Sequence, residues 1–368
     1  MDGNCANIIC FSENGKRTAR ETAEYLESRG TATELWLKSR YAAAEKPFHP
    51  VEGSLTDWVK TRWGCKTLVF VGALGIAVRA IAPHVKSKKT DPAVLVLDEG
   101  KHFCIPLLSG HLGGANEAAL NLAAHIGSIP VVTTATDVHS LFAVDVFAKK
   151  NGLLIDRMEL ARDVSAALLA GQTVGIYSEL PLEKSGQPPE LAFWETEREA
   201  ADSGLPLGIY IGYRTDCVPF PQTLKLVPDV LSVGIGCRKG TAAEKVASLF
   251  YLVMAEAHLD VRAVGQVASI DLKKDEGGIR ALAESLRIPF VTYDSEALKK
   301  VPGIFSASDF VKDITGVDNV CERSAVLASG NGTLIRKKRP GQGVTAAVAA
   351  GNRRIRFEQN ICGGYWPR

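Results

Sequence analysis

Apolar and polar positions alternate in blocks along this chain. Short apolar runs end at glycine, and helical patterns follow them. Ile8–Phe11 is a short apolar run, and Lys16–Ser28 has a helical period that ends at Gly30. Leu68-Val69-Phe70-Val71 is apolar throughout and stops at Gly72, as a strand buried on both faces does. A helix near Ile76–Ile81 is stopped by Pro83. Val94–Leu97 and Phe103–Leu108 flank Glu99-Gly100-Lys101, which predicts a hairpin. Ala115–Ile126 reads as a helix and Val131–Thr134 as a strand. This alternation predicts an α/β layered domain over residues 1–140.

Residues 141–228 break the pattern. Pro, Gly and charged residues cluster between the strand candidates Val174–Tyr177 and Leu207–Ile211, so a small α/β middle domain or a structured connector is expected. Alternation returns over residues 229–368. Val230–Ile235 leads through a glycine loop into a long helix ending near Glu256. Val264–Ile270, a helix near Gly278–Leu286, Phe290–Tyr293, a helix near Val320–Ala328 and a hairpin around Arg336–Ala349 follow. The expected class is therefore α/β, with layered domains at both chain ends.

Two strand–glycine loop–helix junctions carry the candidate chemistry. The first is Ser109-Gly110-His111-Leu112-Gly113-Gly114-Ala115-Asn116-Glu117. Free N–H groups at a helix start favour an anion. The ordinary pKa of a histidine lies near neutrality, so His111 suits a general base or acid. The plainer alternative is a capped helix, with Ser109 or Asn116 as the cap. Ligands of open α/β sheets sit at the carboxyl ends of strands, which favours the functional reading. The second junction, Gly234-Ile235-Gly236-Cys237-Arg238-Lys239-Gly240-Thr241, places cations where they oppose the helix dipole, so an anion is expected beside them. Cys237, next to those cations, is expected to have a lowered pKa. Asp271 and Lys273, just after a strand, are candidates for the same cleft.

Other motifs exclude more than they suggest. Gly72-Ala73-Leu74-Gly75-Ile76-Ala77-Val78-Arg79 lacks the third glycine of a dinucleotide fingerprint, and the second loop lacks the GK[ST] ending of a P-loop. Arg79 either forms an internal ion pair or holds a ligand carboxylate, the internal pair being favoured. The seven histidines show no metal-ligand spacing. Net charge is +2, and no aromatic platform accompanies the basic run Arg336–Arg339, so nucleic acid is not expected as a partner. Eight scattered cysteines without a CxxC pair, no signal-peptide pattern and no membrane-length apolar run lead to a cytoplasmic expectation.

The segments VGALGIAVRAIAP, DEGKHFCIPLLSGHLGGAN with VVTTATD, VGIGCRKG, ASIDLKKDE and VCERSAVLAS resemble the CbiG family of cobalamin biosynthesis, the cobalt-precorrin-5A hydrolases. The C-terminal part is also similar to stand-alone CobE-type proteins, while the tail from Asn360 matches no known pattern. The resemblance implies that the δ-lactone of cobalt-precorrin-5A is opened and acetaldehyde is released. Cobalt then arrives inside the substrate, and neither a protein-held metal nor an organic cofactor is expected. The many carboxylates of a cobalt-corrinoid substrate agree with Arg79, Arg238, Lys239, Lys273 and the Arg336–Arg339 run. His111 or Glu117 is the expected base. N–H groups near Gly113 and Gly114, with Arg79, are the expected oxyanion site. Ser109, Gly110, Gly113, Gly114, Asn116, Arg238, Lys239, Asp271 and Lys273 are the expected substrate contacts. Transient contact with pathway methyltransferases is a further expectation. The rival readings are a non-catalytic corrinoid carrier and a nucleotide-dependent transferase.

Overall fold

The computed structural model describes residues 5–41, 43–87, 90–111, 113–139 and 141–357. Leu112 of the first glycine loop and the tail from Asn360 lie outside them. The chain divides into two compact units between Val146 and Phe147.

The first unit holds one seven-stranded sheet. Its strands are β1 (Cys5–Cys10), β2 (Ala32–Leu37), β3 (Phe48–Pro50), β4 (Thr67–Val71), β5 (Ala93–Leu97), β6 (Phe103–Leu108) and β7 (Ile129–Pro130). They stand in the order β3-β2-β1-β4-β5-β6-β7. The unbroken apolar runs are explained by what covers the sheet. Ile8, Val69, Val71, Leu95 and Leu97 pack on one face against Ala19, Ala23, Ala115 and Ala119, on the helices Glu13–Ser28 and Ala115–Ile126. Ile9, Leu68, Phe70, Val94 and Val96 pack on the other face against Trp58, Val59, Ala77 and Ala80. Successive side chains of a strand point to opposite faces, so both faces need apolar residues.

Strand direction places the first loop. β1 to β5 run parallel, whereas β6 pairs antiparallel with β5, Leu97 against Cys104 and Val94 against Leu108. The predicted hairpin is therefore present. β7 runs parallel to β6, so the carboxyl ends of these two lie at the edge where β4 and β5 begin. The strand expected at Val131–Thr134 is displaced to Ile129–Pro130. Only Val131 N–H continues the pairing, to Cys104 O at 2.9 Å.

The second unit holds two five-stranded sheets. One contains β8 (Leu153–Ile155), β9 (Val174–Ser178), β10 (Leu191–Trp194), β11 (Leu207–Ile211) and β12 (Gln222–Pro228), ordered β10-β9-β11-β12-β8. The other contains β13 (Leu231–Cys237), β14 (Val264–Ile270), β15 (Phe290–Tyr293), β16 (Thr333–Gly341) and β17 (Val344–Ala350), ordered β15-β14-β13-β17-β16. The carboxyl ends of β9 and β11, where chain direction across the sheet switches, are filled from within. Glu179 accepts from Tyr210 Oη at 2.7 Å and Tyr213 N at 3.0 Å. Arg214 pairs with Glu197 at 2.9 Å and Asp216 at 3.0 Å. Burial raises the Glu179 carboxyl above its ordinary range despite those donors. Thr215 N–H donates to His258 O and Asp260 N–H to Tyr213 O, both at 2.8 Å, which ties this corner to the neighbouring sheet. The position that commonly binds a ligand is here an internal joint.

Candidate functional site

The loop after β6 is wound back on itself. Ser109 adopts φ 58°, and Ala115 N–H donates to Ser109 O at 3.1 Å, Asn116 N–H to Gly110 O at 3.0 Å and Gly114 N–H to His111 O at 2.9 Å. A Cβ on Gly113 would strike Ser109, and one on Gly110 would lie 2.6 Å from Asn116 Oδ1. The loop closes only with glycine at these positions. Ser109 and Asn116 are buried. The Ser109 hydroxyl donates to Asp91 O at 3.0 Å, and Asn116 Nδ2 donates to Thr134 Oγ1 at 2.9 Å. Both hold the loop in shape.

That shape presents His111. Its Nδ1 stands 3.6 Å from Asp145 Oδ1, with the side chains 20% and 14% exposed. Asp145 lies in the first turn of the helix Val144–Lys150 and also accepts from Val146 N–H at 3.0 Å. A carboxylate beside imidazole orients the ring and stabilises the imidazolium formed when the ring takes a proton. Glu117 is exposed on the helix Ala115–Ile126, without hydrogen-bond or ion-pair contact to His111 among the described residues. Arg79 is exposed on the helix Leu74–Ile81 and pairs with no carboxylate among the described residues, contrary to the internal ion pair favoured above. The expected oxyanion role of Gly114 N–H meets a conflict, since that donor already serves His111 O. Gly113 N–H keeps no acceptor among the described residues.

The loop after β13 is built differently. Gly240 N–H and Thr241 N–H donate to Glu276 Oε1 at 2.7 and 3.1 Å, and Glu276 Oε2 lies 3.3 Å from Lys273 Nζ. The N–H groups leading into this helix are thus filled by the protein's own buried carboxylate, which does not pair with Arg238 or Lys239. Arg238 and Lys239 remain exposed, with no ion pair among the described residues. They line a cavity of about 780 Å³ together with Lys273 and Lys338. Ile270, Val311, Ile314 and Val320 give it an apolar lining. A cavity of this size with apolar walls and a few cations suits a ligand with an apolar body and anionic arms.

Three expectations are corrected here. Asp271 is exposed and does not line the cavity; it stands in a turn where its carbonyl accepts Lys274 N–H at 3.0 Å. Burial, reinforced by Glu276, pushes the Cys237 thiol up rather than down, overriding Lys273 and Thr241. Arg336 and Arg339 do not reach the cavity, because both are held by Glu256 at 2.7 and 3.1 Å.

Asp145, Asn319 and Glu322 were missed as site residues. Asp145 had a signal: it is the lone charge in the apolar run Leu141–Ala148. Lys338 lay inside the expected Arg336–Arg339 run, but which of its cations faces the cavity had no signal, since that depends on irregular pairing in β16.

The fold and cavity define a layered α/β protein with a cationic, apolar-walled cavity. Comparison with known proteins narrows the class. Residues 57–137 match the family described as "Cobalamin synthesis G N-terminal", 142–228 "Cobalamin biosynthesis central region", and 231–349 "Cobalamin synthesis G C-terminus". The chain is 36% identical to a protein of Salmonella typhimurium named cobalt-precorrin-5A hydrolase, over 93% of this chain and 96% of that one. It is 33% identical to a Priestia megaterium protein of the same name, over 93% and 94%. A CobE protein of Sinorhizobium is 32% identical over 36% of this chain and 86% of its own length. The chain belongs to the cobalamin biosynthesis G family.

Proposed function

We propose that the protein is a cobalt-precorrin-5A hydrolase, which opens the substrate's δ-lactone and releases the two-carbon unit at C20 as acetaldehyde, giving cobalt-precorrin-5B. The observation that carries this reading beyond the likeness of sequence is the cavity with Arg238, Lys239 and Lys338, which have no ion pair among the described residues. Cations kept without counter-ions around apolar walls suit a macrocycle with a carboxylate rim.

Lactone opening needs an activated water and a donor for the oxyanion. His111 takes a proton from water, and Asp145 stabilises the imidazolium that results. Of the two N–H groups expected at the oxyanion, Gly113 N–H is the one without an acceptor among the described residues. Hydrolysis leaves a carboxylate and a free hydroxyl. Removal of the hydroxyl proton forms the acetaldehyde carbonyl as the carbon–carbon bond breaks, and its electron pair passes into the cobalt-bearing ring of the substrate. No organic cofactor is required on this reading.

Anaerobic incubation of the purified protein with cobalt-precorrin-5A tests it. Stoichiometric acetaldehyde with the matching loss of corrinoid mass is the expected result. Tight binding without acetaldehyde would convert the reading to a carrier.

A further inference from the structure

We infer that Lys338 anchors a substrate carboxylate in the cavity and that the buried carboxylate of Glu322 positions it. The identity of the ligand rests on the function proposed above. The inference itself starts from irregular pairing in β16, whose register with β17 shifts between Leu334 and Arg336 and again between Arg336 and Arg339. The irregularity separates cations that lie side by side in sequence. Arg336 and Arg339 turn to Glu256, whereas Lys338 lines the cavity without an ion pair among the described residues.

Glu322 explains how that turn is held. It is 0% exposed and pairs with no lysine or arginine among the described residues. Its Oε1 accepts from Ser306 Oγ at 2.9 Å and Lys338 N–H at 2.7 Å. Its Oε2 accepts from Ser306 N–H at 2.8 Å and Asn319 Nδ2 at 2.9 Å. A buried carboxylate without a counter-ion is costly, and these donors offset the cost only while all of them stay in place. The segments they come from are walls of one cavity: Asn319 and Lys338 line it, as does Ser308 close to Ser306. An apolar residue could fill the same volume. A carboxylate also fixes the separation of β16 from the 306–319 segment, and so the place from which Lys338 reaches the ligand.

The test uses the full chain and steady-state turnover of cobalt-precorrin-5A. Lys338→Gln should raise KM about tenfold and leave kcat within about twofold, the size expected for one charge-assisted contact. Lys338→Arg should keep most of the affinity. Glu322→Gln sets an amide NH2 against N–H or hydroxyl donors whichever way it turns. It should raise KM in the wild-type background and add little in the Lys338→Gln background, because it acts through Lys338. Arg198→Gln, on the exposed helix Glu197–Asp202, is the control expected to change neither constant. If wild type turns over and Lys338→Gln matches it in KM, the anchor is overturned and the hydrolase reading stands. A wild type that neither binds nor turns over would overturn both. If Glu322→Gln fails to fold, the two Lys338 variants still decide the anchor.

Discussion

The two glycine loops share one local plan and use it in opposite ways. After β6, the N–H groups of Gly114, Ala115 and Asn116 are spent on the loop's own carbonyls, and the loop presents His111 beside Asp145. After β13, Glu276 fills the N–H groups, and the loop presents Arg238 and Lys239 to a cavity. Strand–glycine loop–helix therefore says where functional groups emerge but not what they do. What fills the backbone donors decides that. A loop closed on itself can hold an imidazole in one place. A loop satisfied by a buried carboxylate leaves its cations for a ligand. The middle sheet completes the contrast, since Glu179, Tyr210 and Arg214 occupy its switch point and are bonded within the protein, Glu179 to Tyr210 and Arg214 to Glu197 and Asp216.

The sharpest way to break this comparison is at the first loop. His111→Gln should lower kcat by about 10²- to 10⁴-fold with little change in KM, as loss of general acid–base catalysis does. Asp145→Asn should lower kcat in the same direction. Single-turnover acetaldehyde release measures both. An equal effect on KM would place His111 in binding instead.

At the second loop the expected effect is on affinity. Arg238→Gln with Lys239→Gln should weaken corrinoid binding about 10- to 100-fold and flatten its dependence on salt, kcat changing least. Isothermal titration at two ionic strengths reads both. A fall in kcat alone would move chemistry to this loop.

Stability probes sharpen the picture further. Glu322→Ala leaves buried donors without an acceptor and should cost about 3 kcal/mol or more, seen as a lower denaturant midpoint. Asp318→Asn should have a smaller effect. Arg323 at 2.8 Å holds the Asp318 carboxyl below its ordinary range, so the pair's contribution is present above that range and is lost as pH falls through the folded-state pKa. The stability gap between wild type and Asp318→Asn should be about 1 kcal/mol or less at neutral pH and should close in acid. Glu179 has the opposite sign: its raised pKa favours the fold at low pH, and that contribution is lost as pH rises through the folded value.

Much of this was legible in the sequence for identifiable reasons. Apolar runs such as Leu68–Val71 marked central strands because both faces of the sheet are covered. Gly110 and Gly113 were expected as substrate contacts, and their close packing was not legible, because the Ser109 and Asn116 atoms that a Cβ would meet come together only in the folded loop. Lys273 was expected in the cleft because it comes just after a strand, and it lines the cavity, whereas Asp271, expected there on the same ground, does not. The pairing of His111 with Asp145 was not, since the loop Ser109–Gly114 meets the helix Val144–Lys150 only through the tertiary fold. The rise of the Cys237 pKa was missed because neighbouring cations were visible in sequence, whereas burial and Glu276 were not. The fate of Arg336 and Arg339 depended on Glu256, far away in sequence.

The central claim is that chemistry belongs to the first loop and ligand retention to the second. Anaerobic titration of His111→Gln with cobalt-precorrin-5A, followed by a single-turnover assay for acetaldehyde, tests it most directly. The account predicts binding close to that of wild type, with acetaldehyde release slowed by at least about a hundredfold. Release at the wild-type rate would contradict it.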